Sequence, residues 1–98
     1  MGRTVVSEDG GFEWDEDKAA SNLKKHGVAF EEALTVFADE RADVEEDALD
    51  PERCSIVGHS AAPRLLYVVF VERVSSERVR IISARKATNH EAKRLGGA

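Results

Sequence analysis

The segment that most constrains this chain is Arg64 to Arg73, RLLYVVFVER, because as an extended strand it is apolar on both faces. Successive side chains of a strand point to opposite sides. Leu65, Tyr67, Val69 and Val71 therefore share one face, and Leu66, Val68 and Phe70 share the other. A strand apolar on both sides has to be covered on both sides. A chain of 98 residues has room for one domain. Two helices can supply one covering layer. The other falls to a C-terminal helix, a second protomer or a partner protein.

The helices are legible in the pattern upstream. Phe12-Glu13-Trp14 alternates like a short strand, and Asp15 is a good N-cap. A helix is expected from there through Lys18, Asn22 and Leu23 to about His26, with Gly27 as its left-handed cap. Phe30, Ala33, Leu34 and Phe37 fall at i, i+3, i+4 and i+7 and predict a second helix, with Glu31 and Glu32 suiting its first turn. Residues 1–11 read as a loose arm or an edge strand, and residues 12–98 as a single domain. The acidic stretch after Phe37 reads as a loop or weak edge strand.

Beyond Pro51 the period changes to two. Arg53 to His59 reads as a strand, Ser60-Ala61-Ala62-Pro63 as a turn, and Arg78 to Ala84 as a strand hairpin-paired with Arg64–Arg73 through Ser75-Ser76. On that last strand Val79 and Ile81 face one way, and Arg78, Arg80 and Ile82 the other. Thr88-x-x-Glu91 matches a capping box, opening a short helix to Leu95 that ends at Gly96-Gly97. The expected fold is α+β: an antiparallel sheet of about four strands packed against two N-terminal helices, with a short C-terminal helix.

Charge is strongly polarised. The formal net charge is −5, which alone argues against a nucleic-acid partner. From Asp39 to Glu52, however, eight carboxylates face Arg41 alone. From Arg78 to the end, six cations (Arg78, Arg80, Arg85, Lys86, Lys93, Arg94) face Glu91 alone. Distribution matters more than the sum, so an anionic ligand fits the basic segment and the acidic stretch offers a second surface. No apolar run approaches the roughly 20 residues needed to span a bilayer, and the N-terminus lacks the apolar core of a signal peptide. Cys54 is the only cysteine, so an intrachain disulfide and a four-cysteine metal site are both excluded. A cytoplasmic protein without membrane contact is expected.

Candidate chemistry is sparse. His26, His59 and Cys54 share no metal-ligand spacing, so neither metal nor cofactor is expected. His59 and His90 read as surface residues. Lys24-Lys25-His26-Gly27 is either a helix end whose cations meet the negative dipole, or a basic cluster carrying a titratable imidazole. The strand arginines Arg53, Arg73, Arg78 and Arg80 are costly to bury unpaired. They imply either carboxylate partners, such as Glu13, Glu52 or Glu72, or a phosphate site. The pattern does not decide between these.

The order of residues adds a resemblance. Phe12-Glu13-Trp14-Asp15, Lys18, Asn22, Lys25-His26-Gly27-Val28, Phe30, Ala33, Phe37 and Asp39 look like the N-terminal half of the BrnT toxins. Glu52-Arg53, Gly58, Ser60, Arg64-Leu65-Leu66 and Arg73 continue the pattern. Arg80-Ile81-Ile82-Ser83-Ala84-Arg85-Lys86-Ala87-Thr88, with Glu91, closes it. The resemblance covers roughly residues 12–93. It implies a RelE-like fold and a ribonuclease toxin of a type II toxin–antitoxin pair. The implied partner is a BrnA-like ribbon-helix-helix antitoxin, through which alone the pair would meet operator DNA. A toxin dimer is left open.

Three departures from the family stand out. Ala29 replaces the usual Ser before the second helix, so Glu32 loses a reciprocal capping partner. The C-terminal helix is shorter and poorer in arginine than usual, and the chain is net acidic.

The resemblance favours RNA phosphate as the ligand of the arginines. The implied reaction is metal-independent cleavage, in which the 2′-hydroxyl attacks the adjacent phosphate. Lys25, His26, Glu52, Arg53, Arg73 and Arg85 are the candidate catalytic residues, with Lys25 or His26 handling protons and Glu52 orienting an arginine or acting as base. Arg80, Lys86, Lys24 and Lys93 are candidate RNA contacts, and Arg80 also a candidate for charge stabilisation. The rival reading is a non-catalytic module that docks a DNA-binding partner through its basic face.

Overall fold

In the computed structural model of the chain, described for residues 2–73, 75 and 77–96, the strand Leu65–Arg73 lies inside a six-stranded sheet. In chain order the elements are β1 (Thr4–Val6), β2 (Phe12–Asp15), α1 (Glu16–His26) and α2 (Phe30–Ala33), which tightens into a 3-10 turn over Leu34–Ala38. Then follow β3 (Asp43–Glu46), β4 (Arg53–His59), β5 (Leu65–Arg73) and β6 (Arg78–Lys86). Last comes α3 (Asn89–Ala92), which runs into a 3-10 turn over Lys93–Leu95. The strand order is β1-β2-β6-β5-β4-β3. The sheet is mixed: β2 runs parallel to β6, and every other pair is antiparallel.

This corrects the expected four-stranded antiparallel sheet in two ways. Thr4–Val6, within the segment expected as a loose arm or an edge strand, forms one edge, and the acidic Asp43–Glu46 forms the other. Edge strands face water along one side, so they need little apolar pattern to form. The parallel pairing arises because α1 and α2 carry the chain across one face between β2 and the rest of the sheet. Phe12 lands opposite Val79, and Glu13 opposite Arg80. The turn at Ser75-Ser76 lies partly outside the described residues, as does Gly97. The hairpin register itself is clear, with Arg73 opposite Arg78.

Local chemistry explains α1. Asp15 caps it by accepting the N–H groups of Asp17 and Lys18 at 2.9 and 3.0 Å. Gly27, at φ 70°, closes it in the left-handed conformation and donates to the Leu23 carbonyl at 2.8 Å. The second helix departs from its expected stripe. After one α turn it tightens to three residues per turn, which rotates Val36 into the core and leaves Leu34 and Phe37 only half-buried.

One core lies between the helices and the sheet. Phe30, Ala33 and Val36 pack on Leu66, Val68, Phe70, Ile81 and Ala84, with Trp14 and Val28 closing one side. Phe37 joins Phe12 and Phe70 with ring centroids 5.0 Å apart in each case. The helices thus cover one face of β5. The opposite, outer face is only partly covered, by α3 and the turn after it, and that face carries the arginines.

Candidate functional site

The outer face follows from register. Glu13 of β2, Arg80 of β6, Val71 of β5 and Arg53 of β4 stand in one row across four strands. Alongside that row, towards the β5–β6 turn, Arg73 stands opposite Arg78. On the other side lie a second row, Ser83, Val69, Ser55 and Glu45, and a third, Arg85, Tyr67, Val57 and Asp43. A bulge keeps the arginines together. The register slips between Val69 and Phe70, so Ile82 becomes an extra residue, and Ser83 and Arg85 stay on the face of Arg80. Without it, strict alternation would turn Arg85 towards the helices.

The arginines differ in how they are held. Arg80 donates through Nη1 to Glu13 Oε2 at 2.5 Å, and Arg78 lies 3.9 Å from the same carboxylate. Glu13 is nearly fully buried, so this pair matches the structural reading of the strand arginines. Arg85 gives both terminal nitrogens to Glu91 at 2.8 and 2.7 Å and lies 4.4 Å from the Tyr67 ring centroid. That fork, with desolvation opposing it, holds the Glu91 carboxyl down at about 2 and raises the Arg85 guanidinium further. Arg53 and Arg73 stand apart. Among the described residues neither has an ion-pair partner, and both are exposed. Glu52 and Glu72, offered as partners on sequence grounds, pair with neither.

The remaining candidates fall into two places. Glu52 and Arg73 line one groove of about 560 Å³ together with Pro51, Val71 and Glu72. Lys25 and His26 line a different, shallow cleft at the end of α1, beside Lys18, Ile82 and Ser83. Ser83 belongs to the second row of the outer face, so this cleft opens at the flank of the sheet rather than over Arg53 and Arg73. Lys24 and Lys93 are exposed on their helical segments. Lys86 stands opposite Leu66, on the helix side of the sheet. Among the described residues no group of three or more His, Cys, Asp or Glu side chains is placed to hold a metal ion. No helix among them is long and apolar enough to cross a membrane.

Two residues of the face carry no signal in the sequence beyond their type. Tyr67 sits between Arg85 and Arg94, the latter 6.0 Å from its ring centroid. Arg94 reaches from the last turn to Asp43 and Ser55, and a hollow of about 230 Å³ lies there, lined by Arg53, Ser55, Tyr67, Val69 and Arg94 with the acidic Glu45–Asp47. Only the tertiary fold places residues 43, 55, 67 and 94 together.

The Ala29 departure also finds its explanation here. Ala29 makes no side-chain cap, and Glu32, released from that role, accepts from Arg64 Nε and Nη2 at 2.9 and 2.6 Å and from Ser60 Oγ at 2.6 Å. The Arg64 hydrogen bonds lower the Glu32 carboxyl below its ordinary range. Arg64 also donates to the Gly27 carbonyl at 3.0 Å, so this pair ties β5 to the end of α1.

Comparison with known proteins gives this geometry its context. A family model described as the ribonuclease toxin BrnT of type II toxin–antitoxin systems matches residues 14–91. No curated protein matches. Among solved structures, the crystal structure of the Brucella abortus ribonuclease toxin BrnT is similar, with 28% identity and a TM-score of 0.62, covering 78% of this chain and 94% of that one. The matched span takes in the capped helix α1, the whole of β4, β5 and β6, and the Arg85–Glu91 fork, and the chain belongs to the BrnT family of type II ribonuclease toxins.

Proposed function

We propose that this chain is a metal-independent endoribonuclease that cuts RNA on the outer face of its sheet, and that a BrnA-like ribbon-helix-helix antitoxin neutralises it in the cytoplasm. The observation that carries the reading is the pair Arg53 and Arg73. They flank Val71, are exposed and lack ion-pair partners among the described residues, while the neighbouring Arg80 is already held by Glu13. Unpaired arginines beside one another are suited to phosphate, whose oxygens accept the guanidinium fork bidentately.

In this reaction the 2′-oxygen attacks the adjacent phosphorus and loses its proton to a base. The 5′-oxygen leaves with a proton from an acid, giving a 2′,3′-cyclic phosphate and a 5′-hydroxyl. Arg53 and Arg73 stabilise the charge that develops on the phosphorane. Glu52 is the candidate base that shares a groove with Arg73, at the end of the sheet beside Cys54 and Glu72, whereas Lys25 and His26 act from the flank beside Ser83. Arg85 enters only once Glu91 releases it. Lys24 and Lys93, both exposed, extend the contacts of a longer strand, whereas Lys86 faces the helix side and is left out of this surface.

The test is incubation of the purified protein with single-stranded RNA in EDTA. Fragments ending in a 2′,3′-cyclic phosphate are expected. Intact RNA, or cleavage that needs added metal, contradicts the mechanism. RNA neither bound nor cut points instead to the non-catalytic module that docks a DNA-binding partner.

A further inference from the structure

Val57 is completely buried although its partners across the sheet, Tyr67 and Asp43, put it on the outer face, away from the helix layer and its core. The C-terminal turn packs on β4 at this point. Arg94 donates from Nε to Asp43 Oδ2 at 2.8 Å and from Nη1 to Ser55 Oγ at 2.9 Å. Its Nη2 reaches the carbonyls of Asp43 and Ser55 at 3.1 and 3.2 Å, and Glu45 stands 3.2 Å from Nε. At the other end of the segment, Glu91 closes the capping box by accepting the Thr88 N–H at 2.9 Å and grips Arg85 with both oxygens. No residue of α3 or of the turn that follows is itself buried. The segment is therefore held by polar contacts at its two ends, which a competing ligand can replace, rather than by a core of its own.

We propose that Thr88 to Gly96 is an autoinhibitory strap over one half of the RNA-binding face. Glu91 withdraws Arg85, and Arg94 pins the turn over Ser55, Val57 and Tyr67. The inference rests on the reading of the outer face as the RNA surface. An RNA phosphate presents Arg85 with the same forked acceptor as Glu91, so the two compete for one guanidinium. Once phosphate takes Arg85, Glu91 is free to swing away with α3. The face then extends from Arg73, Arg80 and Arg53 through the second row to Arg85 and Tyr67. Free protein thus presents a short site, and RNA long enough to reach Arg85 opens the rest.

The test uses the full chain and a single-stranded 2′-O-methyl oligonucleotide, which has no free 2′-hydroxyl and is not cut. Affinity is measured at several salt concentrations for the wild type and for Glu91→Gln, Asp43→Asn, Glu8→Gln and Arg53→Ala. Glutamine serves in a capping box as glutamate does, so Glu91→Gln keeps the helix start while weakening the grip on Arg85. Expected is several-fold tighter binding by Glu91→Gln and Asp43→Asn. For Glu91→Gln the slope of log K against log salt steepens by about 0.7, the value for one more phosphate neutralised on a single strand. Glu8→Gln removes the same charge at a distant exposed position and leaves the slope unchanged.

In the wild type, the amides of Ala92 and Gly96, bonded to the Thr88 and Lys93 carbonyls, exchange faster when the oligonucleotide binds. An unchanged slope in Glu91→Gln, or slower exchange at those amides, overturns the strap. If Arg53→Ala weakens binding in the same series, the RNA-face reading stands and only the strap falls. If Arg53→Ala binds like the wild type, that reading falls and the strap falls with it.

Discussion

The side-chain amide of Asn22 takes the place of a strand on the open edge of β6, where its Nδ2 donates to the Ala84 carbonyl at 2.8 Å and its Oδ1 accepts the Ala84 N–H at 3.1 Å. β2 pairs with β6 only as far as Arg80, so beyond the bulge this edge has no strand partner on that side. The same Nδ2 donates to the Val28 carbonyl at 2.9 Å, which joins the end of α1 to the start of α2. One buried amide therefore fixes how the helix carrying Lys25 and His26 sits against the strand carrying Arg80 and Arg85. Asn22→Ala strands two backbone groups of Ala84, and each unsatisfied buried group costs about 1–3 kcal/mol, so a loss of about 2–6 kcal/mol is expected. Urea denaturation measures it. A loss under about 1 kcal/mol would mean that water or a shifted backbone satisfies Ala84 equally well.

Gly58 is required for room rather than for an unusual backbone angle. A Cβ there would stand 2.8 Å from Ala42 Cβ, 3.0 Å from Val36 Cγ1 and 3.1 Å from Asp39 Oδ2. The 3-10 turn lies directly on β4 at this point. Gly58→Ala should cost about 1–3 kcal/mol by overpacking. Thermal melting of the variant checks this, and an unchanged midpoint would show that the turn yields.

Ala29 offers a gain. It is the N-cap of α2 without a side-chain hydrogen bond, and Glu32 is committed to Arg64 and Ser60. Ala29→Ser adds a hydroxyl acceptor for the free N–H groups of the first turn and should stabilise by about 0.5–1 kcal/mol. The Glu32–Arg64 fork should persist, because the new hydroxyl needs no help from Glu32 to cap. A rise in melting temperature supports this, and a fall opposes it.

Acid should loosen the C-terminal segment. The folded-state carboxyl of Glu91 lies at about 2, below its ordinary value of 4.5, chiefly through the Arg85 fork. A depressed carboxyl contributes stability that is present above pH 4.5 and is lost as pH falls through about 2. Glu32, lowered by Arg64, acts with the same sign. Stability measured between pH 5 and 2 should therefore fall, and Glu91→Gln should flatten part of that fall. Identical curves for the two proteins would show that the fork contributes nothing to the linkage.

Much of the helix layer was legible in the sequence. Asp15, Gly27 and Thr88-x-x-Glu91 act through local chemistry, and each caps where expected. The two-sided strand likewise forced an interior position on β5. The sheet's extent was less legible, because Thr4–Val6 and Asp43–Glu46 are edge strands that bury little and so show no apolar alternation. The parallel pairing of β2 with β6 joins residues 67 apart in the chain, and no local pattern reports it. In the candidate site, residue types alone left phosphate or carboxylate open for the arginines. The structure divides them: Arg80 and Arg85 meet carboxylates, whereas Arg53 and Arg73 do not. Arg94 was invisible as a clamp because its partners, Asp43 and Ser55, lie 51 and 39 residues away.

The most direct measurement of the central claim is the single-turnover rate of RNA cleavage in EDTA by Arg53→Ala and Arg73→Ala, with Arg41→Ala as an exposed arginine outside the face. Removing one preorganised charge from a developing phosphorane typically costs 10²–10³ in rate, and here, with both side chains exposed, a loss of roughly 10- to 100-fold is expected for each. Both variants should fold as the wild type does, since neither arginine is buried or ion-paired among the described residues. Arg41→Ala should cut at the wild-type rate. If Arg53→Ala and Arg73→Ala also cut at that rate, the outer face of the sheet is not where this protein acts on RNA.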